Sequence, residues 1–418
     1  MDKLMTAQHL IDVLKDKNKN TKLDLHCHSD VSDGVKSLVE LMMEARENGV
    51  EVLAITDHDT AKVFEPIAAG LVNPEDYGVK VVPGVEITTY TEQGMVETLM
   101  YGFDYVKFHD KQQSSDSEFK FLTREFKLKR NFDVFKQRLE KARQFGVITD
   151  EQADIRNYIR LTSPEEGGVP IPFIDFNKGE EFLIRGVDGT PVANSQSLTF
   201  DGEGKGDICH NDNARLAETV VIDGNIYSVS YDSFNSKLFG AMKQNPVGKE
   251  YLDNFVKPDG NVGVTTFGDF LRFVTQDPEN PIYVSPEGYY PSIEDNVKFG
   301  HSVGAIVGLA HPYNYPQLSA TPDAIMQIAI DSGVDFLECA YGFATLEQMN
   351  HINNVANSQD REILLTGGTD KHKNFTDVAE TTPWTLGTTV RTNLEITTEN
   401  IQNIDKIYLD SQDLCEAQ

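Results

Sequence analysis

The 418 residues correspond to between one large barrel-type domain and about three ordinary ones, so a sizeable core is available. With 39% hydrophobic residues, one Trp and no apolar run near the roughly 18 residues of a membrane helix, the chain reads as a soluble globular protein, and a membrane span is excluded. The balance of 66 acidic to 37 basic side chains gives a formal charge of -29, which repels long polyanions and favours small substrates or cations, so extended nucleic acid is not expected as a partner.

From the N-terminus, MDKLMTAQHLIDVLKDKNKN has neither a continuous apolar core nor a small-residue cleavage site, and a cytoplasmic location is expected. KLDLH (22–26), VLAIT (52–56), VKVVPGVEITT (79–89) and TLMYGF (98–103) then read as buried strands, with a helical spacing in SLVELMMEARENG (37–49). Residues 105–289 break the pattern. A basic stretch with helical character, Lys120–Arg143, is either a solvated helix face or the source of a phosphate-facing cation. A Gly, Asp and Asn-rich stretch follows from Gly167 to Asn213, and VVIDGNIYSVSY carries turn signals between β-prone runs.

The strand and helix alternation resumes with AIVGLAH (305–311), AIMQIAIDSG (324–333), FLECAY (336–341), TLEQMNHINNVANS (345–358) and ILLTGGT (363–369). Such alternation implies right-handed crossovers and a parallel sheet or barrel. The expected division is a barrel from 1–104 and 290–418, interrupted by an inserted cap at 105–289. Cys27, Cys209, Cys339 and Cys415 are far apart without a C-x-x-C pair, which argues for reduced thiols over disulfides or a thiolate zinc site.

The chemistry lies at the strand ends. His26, His28, Asp33, His58, Glu86, His311, Asp370 and His372 each fall at or just after an apolar run, the face on which β/α barrels build active sites. Imidazole and carboxylate donors together suit zinc, manganese or iron, and eight donors exceed one tetrahedral ion, so two or three metals are expected. Clusters of this kind usually cleave phosphate esters. Taken singly, His26-Cys27-His28 could be satisfied core histidines and Asp33 a turn residue in SDG. His9, His210, His301 and His351 stand outside any such pattern. Trp384, Tyr313 and Tyr315 near motif ends suit either base stacking or rim packing.

DLHCHSDVSDG, LAITDHDT, VPGVEITT, GLAHPYNY and GGTDKH resemble the motifs of the polymerase and histidinol phosphatase (PHP) superfamily, over residues 22 to about 104 and about 290 to 373. The resemblance is greatest to stand-alone PHP-domain phosphoesterases that act on nucleotides. It implies an α/β fold, a distorted seven-stranded TIM-like barrel with a large inserted cap region. It further implies three metal sites, with His26, His28, Glu86 and Asp370 at the first, Glu86 and His311 at the second, and Asp33, His58 and His372 at the third. Glu97 stands where the family usually has His, eleven residues after the bridging Glu; either it ligates as a harder donor or the second ion is held weakly, and His109 is a weaker substitute.

In the mechanism so implied, a metal-activated hydroxide attacks phosphorus, and His58 or His311, where not fully occupied as a ligand, orients the nucleophile or protonates the leaving oxygen. Arg130 matches an Arg-Asn pair near the start of the insertion and is the expected phosphate contact, against the simpler reading of a surface helix residue. The family's usual Gly-Arg step followed closely by His has no clear counterpart. The expected substrate is a nucleoside 3',5'-bisphosphate or an oligonucleotide 5' end, then histidinol phosphate or another small phosphomonoester. Two alternatives stay open, a metal-binding module whose insertion binds a partner, and an amidohydrolase on a related barrel.

Overall fold

The computed structural model describes residues 3–16, 21–113, 121, 124–158, 160–161, 173–175, 183–185, 218–222, 225–229, 233–342 and 344–372. Most of the Gly167–Asn213 stretch, together with Cys209, His210, Trp384 and Cys415, lies outside these residues. The chain divides into two compact units, one of Met1–Phe119, Tyr290–Tyr315 and Ala320–Gln418, the other of Lys120–Tyr289 and Pro316–Ser319.

The strands in chain order are β1 (Leu23–Asp24), β2 (Val52–Ile55), β3 (Lys80–Thr91), β4 (Gly94–Tyr101), β5 (Arg160–Leu161), β6 (Phe173–Asp175), β7 (Leu183–Arg185), β8 (Glu218–Ile222), β9 (Asn225–Val229), β10 (Ile306–Leu309), β11 (Phe336–Tyr341) and β12 (Leu364–Gly368). The first unit holds a seven-stranded sheet in the order β1-β2-β3-β4-β10-β11-β12. Its ends are drawn together by Leu25 N–H donating to Gly367 O, His28 N–H to Lys371 O and Asp370 N–H to His26 O, at 3.1, 3.0 and 2.8 Å. The sheet is therefore nearly closed into an α/β barrel.

The expectation of an all-parallel sheet is corrected at one strand. β4 runs antiparallel to both β3 and β10. Thr91 pairs with Gly94, so only Glu92 and Gln93 connect β3 to β4, and a two-residue loop can join only antiparallel strands. A functional consequence follows, because the start of an antiparallel strand lies at the same barrel end as the finish of its parallel neighbours. Glu97, in the first half of β4, thus sits beside His58 and His311, which follow β2 and β10. Glu86 likewise lies inside β3 and not at its end, since β3 continues beyond the barrel into the hairpin.

The barrel interior is apolar, with Leu23, Leu25, Val52, Ala54, Leu99, Tyr101 and Phe336 packed together and joined by Leu10 from the helix Ala7–Lys15. Tyr101 is satisfied in this setting by donating its hydroxyl to Leu25 O at 2.7 Å. Outer helices begin at side-chain caps. Ser37 and Glu40 form a reciprocal capping box at Leu38–Glu47, as do Thr345 and Gln348 at Leu346–Asn357.

The second unit contains a five-stranded sheet, β5-β9-β8-β6-β7, and its own core. The helix Arg124–Phe145 packs Phe135 and Leu139 against Phe234, Leu238 and Met242, with the Phe135 and Phe234 rings stacked at 4.5 Å. A π-helical turn at Phe270–Thr275 supplies a carbonyl, that of Thr275, to Arg138 at 3.3 Å. The basic stretch is thus not simply a solvated face: Arg130 and Arg138 are buried.

Among the described residues, no helix is long and apolar enough to cross a membrane.

Candidate metal centre

His26 and His28 leave the end of β1 on alternate positions and share a side, as the two-residue repeat of extended chain requires. Both are buried, with ring centroids 5.3 Å apart. Asp370 and His372 follow β12, which lies against the end of β1 because Gly368 lacks a side chain. A Cβ on Gly368 would stand 2.2 Å from His26 N. Asp24 secures the same join by accepting from Thr369 N and Oγ1 at 3.0 and 2.9 Å.

The donors converge on Glu86. Its Oε2 lies 3.2 Å from His26 Nε2, 3.2 Å from His28 Nε2 and 3.3 Å from His58 Nδ1, while its Oε1 lies 3.0 Å from His311 Nε2. Asp370 Oδ1 faces His26 and His28 Nε2 at 3.4 and 3.3 Å. Asp33 Oδ2 stands 3.5 Å from His58 Nε2 and 3.3 Å from His372 Nε2. Glu97 reaches His311 Nε2 at 3.3 Å through Oε2 and His58 Nδ1 at 3.9 Å through Oε1.

Three groups present ligand atoms within 4.8 Å of one another: His26, His28, Glu86 and Asp370; His28, Asp33, His58 and His372; and His58, Glu86 and Glu97. The chain therefore brings together His26, His28, Asp33, His58, Glu86, Glu97, His311, Asp370 and His372. Arg130 lies on the helix Arg124–Phe145 of the second unit and is buried, contrary to the simpler expectation of a surface residue. His109 lies on the helix Tyr105–Gln113 and belongs to none of the groups. His301 pairs with Asp335, and His351 joins Tyr313 to Asp323. Tyr315 is a buried strut: it accepts from Glu97 N at 2.9 Å and donates to Ala310 O at 3.1 Å.

The electrostatics are those of a site built for cations. Burial alone would lower the histidines, yet the carboxylates around them raise His26, His58 and His311 well above the ordinary imidazole value. His372, beside Asp33 and Asp370, is pushed up to about 9 against the same desolvation. Burial would raise Glu86, but His26 and His58 hold it well below the usual carboxylate range. Asp370 is lowered in the same way by His26 and His372.

Hydrogen bonding satisfies only part of this cluster, His26 Nε2 and His311 Nε2 reaching Glu86 at 3.2 and 3.0 Å. His28 Nδ1 and Nε2 and His311 Nδ1 are buried without a hydrogen-bond partner, although His28 Nε2 has two carboxylate oxygens within 3.3 Å. Ring nitrogens near anions but not aligned with them are what donors aimed at a common point produce, and buried polar atoms are rarely left unpaired without such a reason. The mixed imidazole and carboxylate set fits manganese, iron or zinc. Backbone strain is concentrated here as well, since the only non-glycine residues with positive φ among those described are Asp59, His311 and Asp370, at 53°, 25° and 52°.

One functional carboxylate, Glu338, escapes the sequence reading, and Asp57, which the sequence places with His58 and Asp59 in a cluster of charge costly to bury without cations, has a different task. Glu338 on β11 is fully buried and bonded to His26 Nδ1 at 2.9 Å and to His311 N at 2.8 Å. Asp57 belongs to none of the donor groups. It accepts from Ser29 N, Ser29 Oγ and Ser32 Oγ at 2.7, 2.6 and 2.5 Å, clamping the turn that carries Asp33. Asp59 accepts from Thr88 N at 3.2 Å. The buried charges of TDHD therefore need no cation at Asp57 or Asp59, and His58 alone of that motif joins the cluster.

A family model described as the PHP domain matches residues 24–173. Over 90 residues the chain is 41% identical to a 5'-3' exoribonuclease of Haemophilus influenzae, covering 22% of this chain and 31% of that protein. Over 67 residues it is 40% identical to a phosphoribosyl 1,2-cyclic phosphate 1,2-diphosphodiesterase of Eggerthella lenta, covering 16% and 24%. The aligned segments thus span a third or less of these relatives' lengths. A solved structure from Bifidobacterium adolescentis, assigned as a metal-dependent phosphoesterase, aligns over 88% of this chain and 92% of its own at 19% identity and a TM-score of 0.45.

Proposed function

We propose that this chain, a member of the PHP superfamily, is a metal-dependent hydrolase of a phosphomonoester carried by a nucleotide, either a nucleoside 3',5'-bisphosphate or the 5' end of an oligonucleotide. The observation that carries the reading is the convergence on Glu86 of four imidazoles, with Asp370, Asp33 and Glu97 completing the donor set around them. His26, His28, Glu86 and Asp370 would hold one divalent ion, Glu86, Glu97 and His311 a second, and Asp33, His58 and His372 a third. Manganese, iron or zinc bound there supplies Lewis acidity toward the phosphoryl oxygens and makes a water acidic enough to attack at neutral pH.

The chain's own groups do the rest. Glu86, buried and held anionic, uses both oxygens and so fixes the spacing of the histidines on either side. His58 has a side chain 23% exposed, whereas that of His311 is 3% exposed. His58 is therefore the better placed to orient the nucleophile, and it can hand a proton from Nε2 to the leaving oxygen only where that nitrogen is not taken up as a ligand of the third ion, while His311 is confined to ligation. Arg130 is retained as the proposed phosphate contact on its sequence context, and the proposed division stays 1–104 with 290–418 for the barrel and 105–289 for the insertion.

The relatives' names, which concern RNA and a phosphoribosyl phosphodiester, support phosphate-ester chemistry on ribose-containing substrates, and the charge of -29, which opposes extended polyanions, supports a short substrate over a long nucleic acid. The test is phosphate release from nucleoside bisphosphates, short oligonucleotides, histidinol phosphate and other small phosphomonoesters by manganese-loaded protein, with Asp370→Ala and His58→Ala alongside. Turnover lost in both variants is expected. Full metal loading without turnover on any substrate would replace the hydrolase with a metal-binding module.

A further inference from the structure

Glu338 sits in FLECAY, where every position is buried, and its own exposure is zero. Each of its oxygens is committed to a different part of the metal centre. Oε1 pairs with His26 Nδ1 at 2.9 Å, and Oε2 accepts the backbone N–H of His311 at 2.8 Å. A carboxylate can only accept, so in the neutral ring that metal ligation requires this contact keeps the His26 proton on Nδ1 and leaves Nε2, which faces Glu86 and Asp370 at 3.2 and 3.4 Å, as the ligand atom. At the other oxygen, the hydrogen bond holds the peptide of a residue whose φ of 25° is one that L-residues seldom adopt unaided.

We propose that Glu338 is a positioning residue that selects the metal-binding tautomer of His26 and pins the strained turn at His311, so that one buried side chain sets the relation between two metal positions. The assignment rests on the metal-centre reading above. Ligand histidines commonly give their second nitrogen to a carboxylate, and loss of such a partner lowers metal affinity by roughly 10–100-fold. What is particular here is that the same carboxylate also restrains the backbone of a second donor, on a different strand.

The experiment compares wild type with Glu338→Gln in three readouts: manganese and zinc affinity by calorimetry, the ¹⁵N spectrum of His26 in zinc-loaded protein, and amide exchange at His311. The expected result is a variant of near-normal melting behaviour whose metal affinity falls roughly 10–100-fold, whose His26 loses its pure Nδ1–H pattern, and whose His311 amide exchanges faster. A purely structural role would lower stability without changing the His26 tautomer. Unchanged affinity with an unchanged tautomer overturns the proposal. Should the variant fail to fold, wild type decides alone, because zinc bound through His26 Nδ1 instead of Nε2 is incompatible with it. If wild type takes up no divalent metal, the hydrolase reading fails, and Glu338 is judged by His311 exchange, where equal rates in variant and wild type overturn it.

Discussion

The backbone amide of Asp370 donates to His26 O at 2.8 Å, and the two side chains meet at 3.4 Å, so the last strand delivers its carboxylate directly against the first strand's imidazole. This approach depends on Gly368. A methyl there would lie 2.2 Å from His26 N and 2.6 Å from its Cα, both backbone atoms with little room to yield. Gly368→Ala is expected to cost about 1–3 kcal/mol, as overpacking of a tight interior does, and to weaken metal binding by displacing Asp370. Urea denaturation with parallel manganese titration checks both. Normal stability and normal binding would show that β12 can shift without loss.

The donors were legible because each follows a short apolar run and because histidine and carboxylate at strand ends have few other uses. Glu338 was hidden by the very burial that makes it useful: with β11 covered on both faces, FLECAY has no alternation to say which way its carboxylate points. The direction of β4 could have been read from Thr91-Glu92-Gln93-Gly94, too short for a crossover, but the apolar run that follows looks like any buried strand. Asp57 was visible, while its task was not, since the donors it accepts from, on Ser29 and Ser32, become its neighbours only when the β1 and β2 ends come together.

Metal uptake should release protons. His372 titrates at about 9 and His26, His58 and His311 well above their ordinary value, so chelator-stripped protein holds these imidazoles protonated near neutral pH. Ligation requires the neutral ring. Apparent affinity is therefore expected to rise with pH from about 6.5, the ordinary imidazole value, through about 9, measured by calorimetry in buffers of different ionisation heat. For the stripped protein the sign reverses. Raised histidines stabilise it fully below about 6.5, and that contribution is lost as pH climbs through about 9, so its melting temperature should fall over this range. Proton-silent binding would contradict the assignment of these histidines.

Asp57→Asn should act at a distance from the ions. Burial raises the Asp57 carboxyl, and the three donors from Ser29 and Ser32 only partly counter it. The amide substitution removes the charge from these hydrogen bonds and makes the Ser29 hydroxyl turn to accept where it had donated, at an expected cost of about 1–3 kcal/mol. Because the clamp holds the turn before Asp33, the ion shared by Asp33, His58 and His372 should be lost first. Metal stoichiometry and thermal melting, measured together, separate this from general unfolding, which would remove all metals at once.

Glu97 offers the sharpest test of metal choice. Beside Glu86 and His311 it makes a position with two carboxylates and one imidazole, harder than a histidine in its place would give, and oxygen donors favour manganese over zinc relative to imidazole. Its side chain is 30% exposed, with His311 Nε2 at 3.3 Å and His58 Nδ1 at 3.9 Å, so substitutions there should leave the fold intact. Glu97→His is expected to raise the zinc-to-manganese affinity ratio, whereas Glu97→Gln should weaken manganese binding by at least the roughly 10–100-fold that loss of an outer partner brings. Competition binding read by manganese paramagnetic resonance gives both ratios. If neither substitution changes uptake, Glu97 is a bystander at the rim, and the second ion depends on Glu86 and His311 alone.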